Sequence, residues 1–200
     1  MKIRTNHLCT RRIWPGCLGE IEITTILLFC FCFPAQAVTF TVTNLNDSGT
    51  GSLRQTVLEA NAATATNNTI VFQAGLSGIL LTSGGFTITG NLTINGPGEN
   101  VLTISDNNSQ RVFVVDSGAT ATISRLTIKN GSLYNYYSTL TINYSTLSDS
   151  TIGRIYNRNG TLTVSNSTLS SNSATRGGGI YNRDSARACP QLSQMTVEAR

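Results

Sequence analysis

The sequence predicts an all-β solenoid of stacked short strands, a parallel β-helix, and three observations carry that expectation. Ile-Tyr-Asn occurs at Ile155–Asn157 and again at Ile180–Asn182, and Gly160-Thr-Leu-Thr-Val-Ser-Asn-Ser-Thr-Leu169 echoes Thr139-Leu-Thr-Ile-Asn-Tyr-Ser-Thr-Leu147. A chain that repeats itself at roughly 19–25 residues is an array whose units bury their apolar faces against their neighbours. Ile123, Ile142 and Val164 fall into line, as do Ile128, Leu147 and Leu169, at spacings of 19 and then 22 residues. A β-sandwich gives aliphatics no reason to recur in that register, whereas a parallel β-helix stacks them into ladders. Finally, Asn, Ser, Thr and Gly alternate with Ile, Leu and Val too persistently for a disordered polar tract.

Taken in chain order, the first element is a leader. Met1–Arg12 is basic, and Ile23-Thr-Thr-Ile-Leu-Leu-Phe-Cys-Phe-Cys-Phe33 is an apolar run followed by an A-x-A site at Ala35-Gln-Ala37. Residues 1–37 read as a secretory signal peptide cleaved after Ala37. The run falls short of the about 20 apolar residues that a membrane-spanning helix needs. The expected location is therefore secreted, or at the cell surface or outer membrane, with no transmembrane span in the mature chain.

Cleavage strips the chain of much of its chemistry. Cys9, Cys17, Cys30, Cys32, His7 and Trp14 leave with the leader, so Cys189 and Lys129 remain as the single Cys and the single Lys, with no His. An intrachain disulfide, an imidazole base, a Ser-His-Asp triad and a His-based zinc site are thereby excluded. Neither metal nor cofactor is expected. The formal net charge of the whole chain is +4, and what remains after cleavage is small and scattered. Nucleic acid is not an implied partner.

Residues 38–68 form an N-terminal module. Val38-Thr-Phe-Thr-Val-Thr43 alternates as a half-buried strand, and Asn44–Gly51 is loop chemistry. Ser52-Leu-Arg-Gln55 fits a capping box, with Gln55 reaching back to the Ser52 amide. Leu53, Val57, Leu58 and Ala60 follow at helical spacing, and a lone amphipathic helix before a strand array has one obvious place, across the open end of the solenoid.

Residues 69–184 are the repeats. The expected strands are Ile70–Phe72, Ile79–Thr82, Phe86–Ile88, Leu92–Ile94, Leu102–Ile104, Val112–Val115, Ala121–Ile123, Leu126–Ile128, Leu140–Ile142, Ser145–Leu147, Leu162–Val164 and Thr168–Leu169. Each inward aliphatic buries on the order of 100 Å², worth about 2 to 3 kcal/mol at ~25 cal/mol per Å². Asn95, Asn143, Asn166 and Asn172 fall at bends, where they read mostly as turn residues and otherwise as rungs of an asparagine stack. The grammar stops at Asp184. Residues 185–200 carry Pro190 and lack the alternation, so they read as an atypical tail, from a truncation or frameshift, with one or two helical turns over Gln191–Ala199 as the alternative. An uncapped last rung exposes strand edges, which makes end-to-end self-association an expectation.

Two stretches resemble a known group. Asn46-Asp-Ser-Gly-Thr-Gly-Ser-Leu-Arg-Gln-Thr-Val-Leu-Glu-Ala-Asn-Ala62, with Asn68-Thr-Ile-Val-Phe72, resembles the C-S-L-R-E-A-I type N-terminal module of bacterial exported β-helix proteins. Gly177-Gly-Gly-Ile-Tyr-Asn182 is similar to the GGxI repeats of polymorphic outer membrane proteins. Gly51 stands where that module has Cys, Gln55 where it has Glu, and the earlier repeat reads Ile152-Gly-Arg-Ile-Tyr-Asn157. The resemblance implies a right-handed parallel β-helix of the pectin-lyase-like kind. It also implies a secreted or surface-displayed protein that acts as an adhesin or passenger domain.

Pectin-lyase-like solenoids also include enzymes, so a polysaccharide lyase or hydrolase is the competing expectation, and a remnant of a longer surface protein is a further one. Glycoside hydrolysis needs two facing carboxylates. Glu99, Asp106, Asp116, Asp149 and Asp184 are each isolated in sequence, and Arg125, Lys129 and Arg154 have no acid cluster to serve. Turn acids at bends are the plainer reading, and no catalytic residue is assigned. An opposed acid pair on one face would favour the enzyme; an exposed tyrosine strip would favour binding. All six tyrosines lie between Tyr134 and Tyr181. Tyr156 and Tyr181 are expected to stack on each other in successive rungs. Leu133–Tyr137 is expected to interrupt the rung and bulge out as a loop, which makes Tyr134, Tyr136 and Tyr137, with Tyr144, the candidate binding residues for glycans or cell-surface proteins.

Overall fold

The structure is a computed structural model that describes residues 36–63, 67–106, 111–116, 118–151, 153, 155–175 and 178–183, together with the backbone of 195–198. The expected leader up to residue 35, Ile152, Arg154, Gly177, Asp184 and the tail residues 185–194 and 199–200 lie outside the described residues.

The chain opens with β1 (Thr39–Val42) and α1 (Leu53–Ala62), then winds three strands to a coil. The first coil is β2 (Asn68–Phe72), β3 (Gly78–Leu80) and β4 (Phe86–Ile88); the second is β5 (Leu92–Asn95), β6 (Thr103–Ser105) and β7 (Arg111–Val115). The third is β8 (Thr120–Ser124), β9 (Thr127–Lys129) and β10 (Ser132–Tyr136), and the fourth β11 (Thr139–Asn143), β12 (Thr146–Ser148) and β13 (Ile155–Arg158). β14 (Thr161–Ser165), β15 (Thr168–Ser170) and β16 (Ile180–Arg183) make the fifth, and β17 (Met195–Glu198) follows. Corresponding strands line up in three sheets: sheet A is β1-β2-β5-β8-β11-β14-β17, sheet B is β3-β6-β9-β12-β15 and sheet C is β4-β7-β10-β13-β16. Neighbours pair in parallel throughout, for example Ile142 with Ile123 and Val164. The chain is a parallel β-helix.

Parallel register turns sequence repeats into ladders. In sheet A, Ile70, Ile94, Ile123, Ile142 and Val164 stand in one column. In sheet B the column is Ile79, Ile104, Ile128, Leu147 and Leu169. All but the half-buried Leu169 are buried, so the two alignments read from the sequence are inward columns. Sheet C has the column Phe86, Phe113, Leu133, Ile155 and Ile180.

At the N-terminal end, α1 packs on β1, β2 and β4 and buries Leu53, Val57 and Ala60. Leu58, counted in the helical spacing, faces solvent. Only half of the capping box forms. Ser52 Oγ accepts the Gln55 amide at 3.2 Å, but the Ser52 amide already donates to Gly49 O (3.1 Å), and Gln55 Nε2 turns to Glu59 Oε1 (2.9 Å).

The residues that carry the N-terminal resemblance form a staple. Asp47 Oδ1 accepts from Arg54 Nη2 at 2.7 Å, while Oδ2 accepts from the Thr82 and Ser83 amides at 3.1 and 2.8 Å. Arg54 also donates to the carbonyls of Gly84 and Gly85 and lies over the Phe86 ring. One ion pair thus ties the helix and its leading loop to the first coil. Although burial works against its charge, the bonds from Arg54, Ser83 and Thr82 hold the Asp47 carboxyl well below the usual carboxylate range. At Gly51 φ is +78°, and a Cβ would come within 2.2 Å of Thr43 Oγ1, so no side chain fits where the resembled module has Cys.

Two expectations fail. Residues 133–137 do not leave the rung as a loop: Ser132–Tyr136 is β10, in register with β13 and paired with β7 across a register shift between Ser132 and Leu133. Leu133-Tyr-Asn135 matches Ile155-Tyr-Asn157 and Ile180-Tyr-Asn182 residue for residue, so it is the first copy of the repeat and pairs as one. In the tail, 195–198 is a strand rather than helical, with Met195 and Val197 in register with Leu162 and Val164. Met195-Thr-Val-Glu198 restores the two-residue alternation, and the next free place in sheet A takes it.

Candidate functional site

Sheet C changes character between β7 and β10. Its second column runs Ile88, Val115, Asn135, Asn157, Asn182, inward and buried up to Asn157 and exposed at Asn182. Asn135 and Asn157 are fully buried. Asn135 Nδ2 donates to Asn157 Oδ1 at 2.7 Å, and Asn157 Nδ2 donates to Asn182 Oδ1 at 2.9 Å. The same amides hold the turns that leave the strands, through Ser138 O (2.9 Å) and Gly160 O (2.8 Å). Gly160 is required there, since a Cβ would sit 2.5 Å from Asn135 Nδ2 and 2.6 Å from Ser138 O. Asn135 Oδ1 is buried without a hydrogen bond. It is the last acceptor of the ladder, and the next residue down the column is Val115, which has nothing to donate.

Because successive side chains of a strand point to opposite faces, burying the asparagines turns their neighbours outward. Tyr134, Tyr156 and Tyr181 share one register row, and Tyr136 shares the next with Arg158 and Arg183. The rings pack on one another: Tyr134 to Tyr156 at 5.1 Å between centroids, Tyr156 to Tyr181 at 5.4 Å, Tyr136 to Tyr134 at 5.7 Å and to Tyr156 at 5.8 Å. Arg111 closes the end of the row, with its guanidinium 4.0 Å from the centre of the Tyr134 ring. Burial pushes the Tyr136 phenol above its ordinary value, with Arg111 and Arg158 pulling the other way. Tyr136 is therefore a protonated donor at neutral pH.

The four candidate tyrosines do not form one site. Tyr134 and Tyr136 lie in the strip, together with Tyr156 and Tyr181, which stack as expected. Tyr137 is exposed at φ +49°, at the corner from sheet C to sheet A. Tyr144 is exposed at φ +47°, at the corner from sheet A to sheet B, where Arg125 and Asn166 hold the same left-handed conformation in neighbouring coils. Of the four bend asparagines, Asn166 is a left-handed turn residue, whereas Asn172 bonds across coils, accepting from the Ser150 amide and donating to Leu147 O. Asn135, Asn157 and Asn182 form the principal asparagine stack, and the sequence signal for it is the third letter of Leu133-Tyr-Asn135 and of the two Ile-Tyr-Asn copies.

A second surface lies along sheet B. A cavity of about 400 Å³ is lined by Glu99, Thr127, Lys129, Thr146 and Asp149 among others. Glu99 Oε2 accepts from Thr146 Oγ1 at 3.5 Å, and Lys129 Nζ lies 3.7 Å from Asp149 Oδ2. An adjoining cavity of about 280 Å³ is lined by Glu99, Val101, Arg125 and Tyr144. Among the described residues, no three of His, Cys, Asp and Glu come together as a metal site. No helix there is long and apolar enough to cross a membrane.

Fold and faces define a class: a parallel β-helix with an aromatic, cationic strip on one sheet and a polar groove on another. Comparison with family models and with curated proteins gives no match.

Proposed function

We propose that this chain is an exported, non-enzymatic β-helix module that holds a glycan or surface protein on the tyrosine strip of sheet C, in the manner of an adhesin or passenger domain. The observation that carries the reading is the joining of four tyrosines from three coils into one outward patch. Half-buried aromatic rings with polar tips are typical contacts at binding surfaces, and a rigid sheet holds them in place at low entropic cost. The resemblance of residues 46–62 to the N-terminal module of exported β-helix proteins supports secretion or surface display. Tyr134→Ser/Tyr136→Ser is expected to lose attachment to glycan arrays or cell surfaces, with Tyr144→Ser as a control on another corner that keeps it. Equal attachment by both folded variants refutes the strip.

One observation favours a second reading, a carbohydrate-active enzyme. Glu99 and Asp149 line one groove with Lys129, and glycoside cleavage works through paired carboxylates. Release of reducing ends from polysaccharides, abolished by Glu99→Gln, is the result that establishes this reading in place of the first.

A further inference from the structure

The strip carries cations as well as rings, and among the described residues the cations have no carboxylate in ion-pair range. The ion pairs among the described residues are Arg54–Asp47 and Lys129–Asp149, so Arg111, Arg158 and Arg183 on sheet C have no carboxylate partner there. The one described acid bordering the face is Asp116, which follows β7 and is engaged in an interaction of its own. Arg158 Nε is buried with no hydrogen-bond partner among the described residues, so the stem of that side chain lies against the face.

The tyrosines present their hydroxyls rather than open ring faces. At centroid distances of 5.1–5.8 Å Tyr134, Tyr136 and Tyr156 each pack on two or three neighbouring rings, Tyr134 also carries Arg111, and Tyr181 packs on Tyr156 alone. None of the four hydroxyls bonds to a described residue, and none is among the buried polar atoms without a partner. Each hydroxyl therefore keeps some contact with solvent, that of Tyr136 the more sheltered by burial. The phenols of Tyr134, Tyr156 and Tyr181 recur on successive coils at the strand spacing of about 4.8 Å, as do Arg158 and Arg183 beside them, with Arg111 at the end of the row.

We infer that the sheet C face binds an acidic sugar chain, a polysaccharide bearing carboxylates, laid across β10, β13 and β16. Sugar hydroxyls meet the phenol row, and the forks of Arg111, Arg158 and Arg183 take the carboxylates, the geometry in which guanidinium is most selective. A single-stranded nucleic acid offers anions at similar intervals but needs open ring faces for its bases, and this strip has few to give. The inference rests on the glycan-binding reading above and adds the charge of the ligand.

The test is calorimetric titration of the whole chain with a uronic acid hexasaccharide, with its full methyl ester and with a hexanucleotide. The acid form is expected to bind about ten-fold tighter than the ester, the scale of one charge-assisted hydrogen bond, and added salt is expected to shrink the gap. Arg158→Gln/Arg183→Gln, or Arg111→Gln as a separate folded variant, should bring the acid down toward the ester while leaving the ester unchanged. Equal binding of acid and ester overturns the charge inference and leaves the glycan reading standing. Binding of neither overturns both, and preference for the oligonucleotide overturns the choice of ligand.

Discussion

The two halves of sheet C share one backbone and differ in what their columns hold. In β4 and β7 the inner columns are Phe86, Phe113, Ile88 and Val115, and the outer row is Thr87 and Val114. In β10, β13 and β16 one inner column becomes Asn135, Asn157 and Asn182, and the outer row becomes Tyr134, Tyr156 and Tyr181. The first half is held as any core is, by apolar burial, which is non-directional and leaves fine geometry to packing. The second is held by amide-to-amide bonds that tie each coil to the next and to its own exit turn, and those bonds fix register and turn geometry together. The difference teaches where the tyrosine strip gets its order: aromatic rings stack in line because the asparagines behind them are tied from coil to coil.

Five substitutions sharpen or break the account. The largest effect belongs to Ile142→Asp, which puts an unpaired charge into an apolar column and should cost about 4–5 kcal/mol. Unchanged thermal melting of that variant removes the case for inward ladders. Next comes Asn157→Leu, which fills the space but leaves Asn182 Oδ1 and Gly160 O without their donor. Gly160 O is the buried group left stranded, whereas the exposed Asn182 turns to water, so a loss of about 1–3 kcal/mol is expected in denaturant melts, and a neutral result means the ladder is ornamental.

Val115→Asn is the sharper test because it should do little. It adds an amide beneath the orphaned Asn135 Oδ1, and Gly118 stands three residues on, as Ser138 and Gly160 do for Asn135 and Asn157. Stability within about 1 kcal/mol of the parent is expected, against about 3 kcal/mol lost by Ile123→Asn, which meets only aliphatics. Equal losses at the two sites contradict the idea that the column continues.

The smallest effect is at the other end of the molecule. Asp47 is held below its ordinary pKa in the folded chain, so its bonds stabilise fully above the unfolded value of about 3.9 and fade as pH falls through and below it. Melting temperature should drop below about pH 4, and Asp47→Asn should be less stable at neutral pH but flatter on the acid side. An unchanged acid limb removes the staple from the account.

Much of this was legible in the sequence, for a physical reason. Parallel register converts a repeat spacing directly into a contact, so Ile123, Ile142 and Val164 declared their column before any coordinates. The Ser52 cap and the covering helix were legible from local chemistry. The strip was half legible: its tyrosines were noted, but Leu133-Tyr-Asn135 was mistaken for a loop because Leu replaces Ile and Tyr136 stands where the later copies have Arg158 and Arg183. The staple was illegible, since Asp47 and Arg54 reach coil carbonyls and amides some thirty residues away, and no periodicity announces such a bond. The groove of Glu99 and Asp149 was hidden likewise, by a separation that only coiling closes.

The central claim is that ligand sits on sheet C and not in that groove. It is tested most directly by NMR titration of the labelled chain with the uronic acid hexasaccharide, following tyrosine ring and backbone signals together. The account predicts shifts at Tyr134, Tyr136, Tyr156 and Tyr181 with Lys129 and Asp149 still. Shifts confined to Glu99, Lys129 and Asp149 contradict it and move the function to the groove.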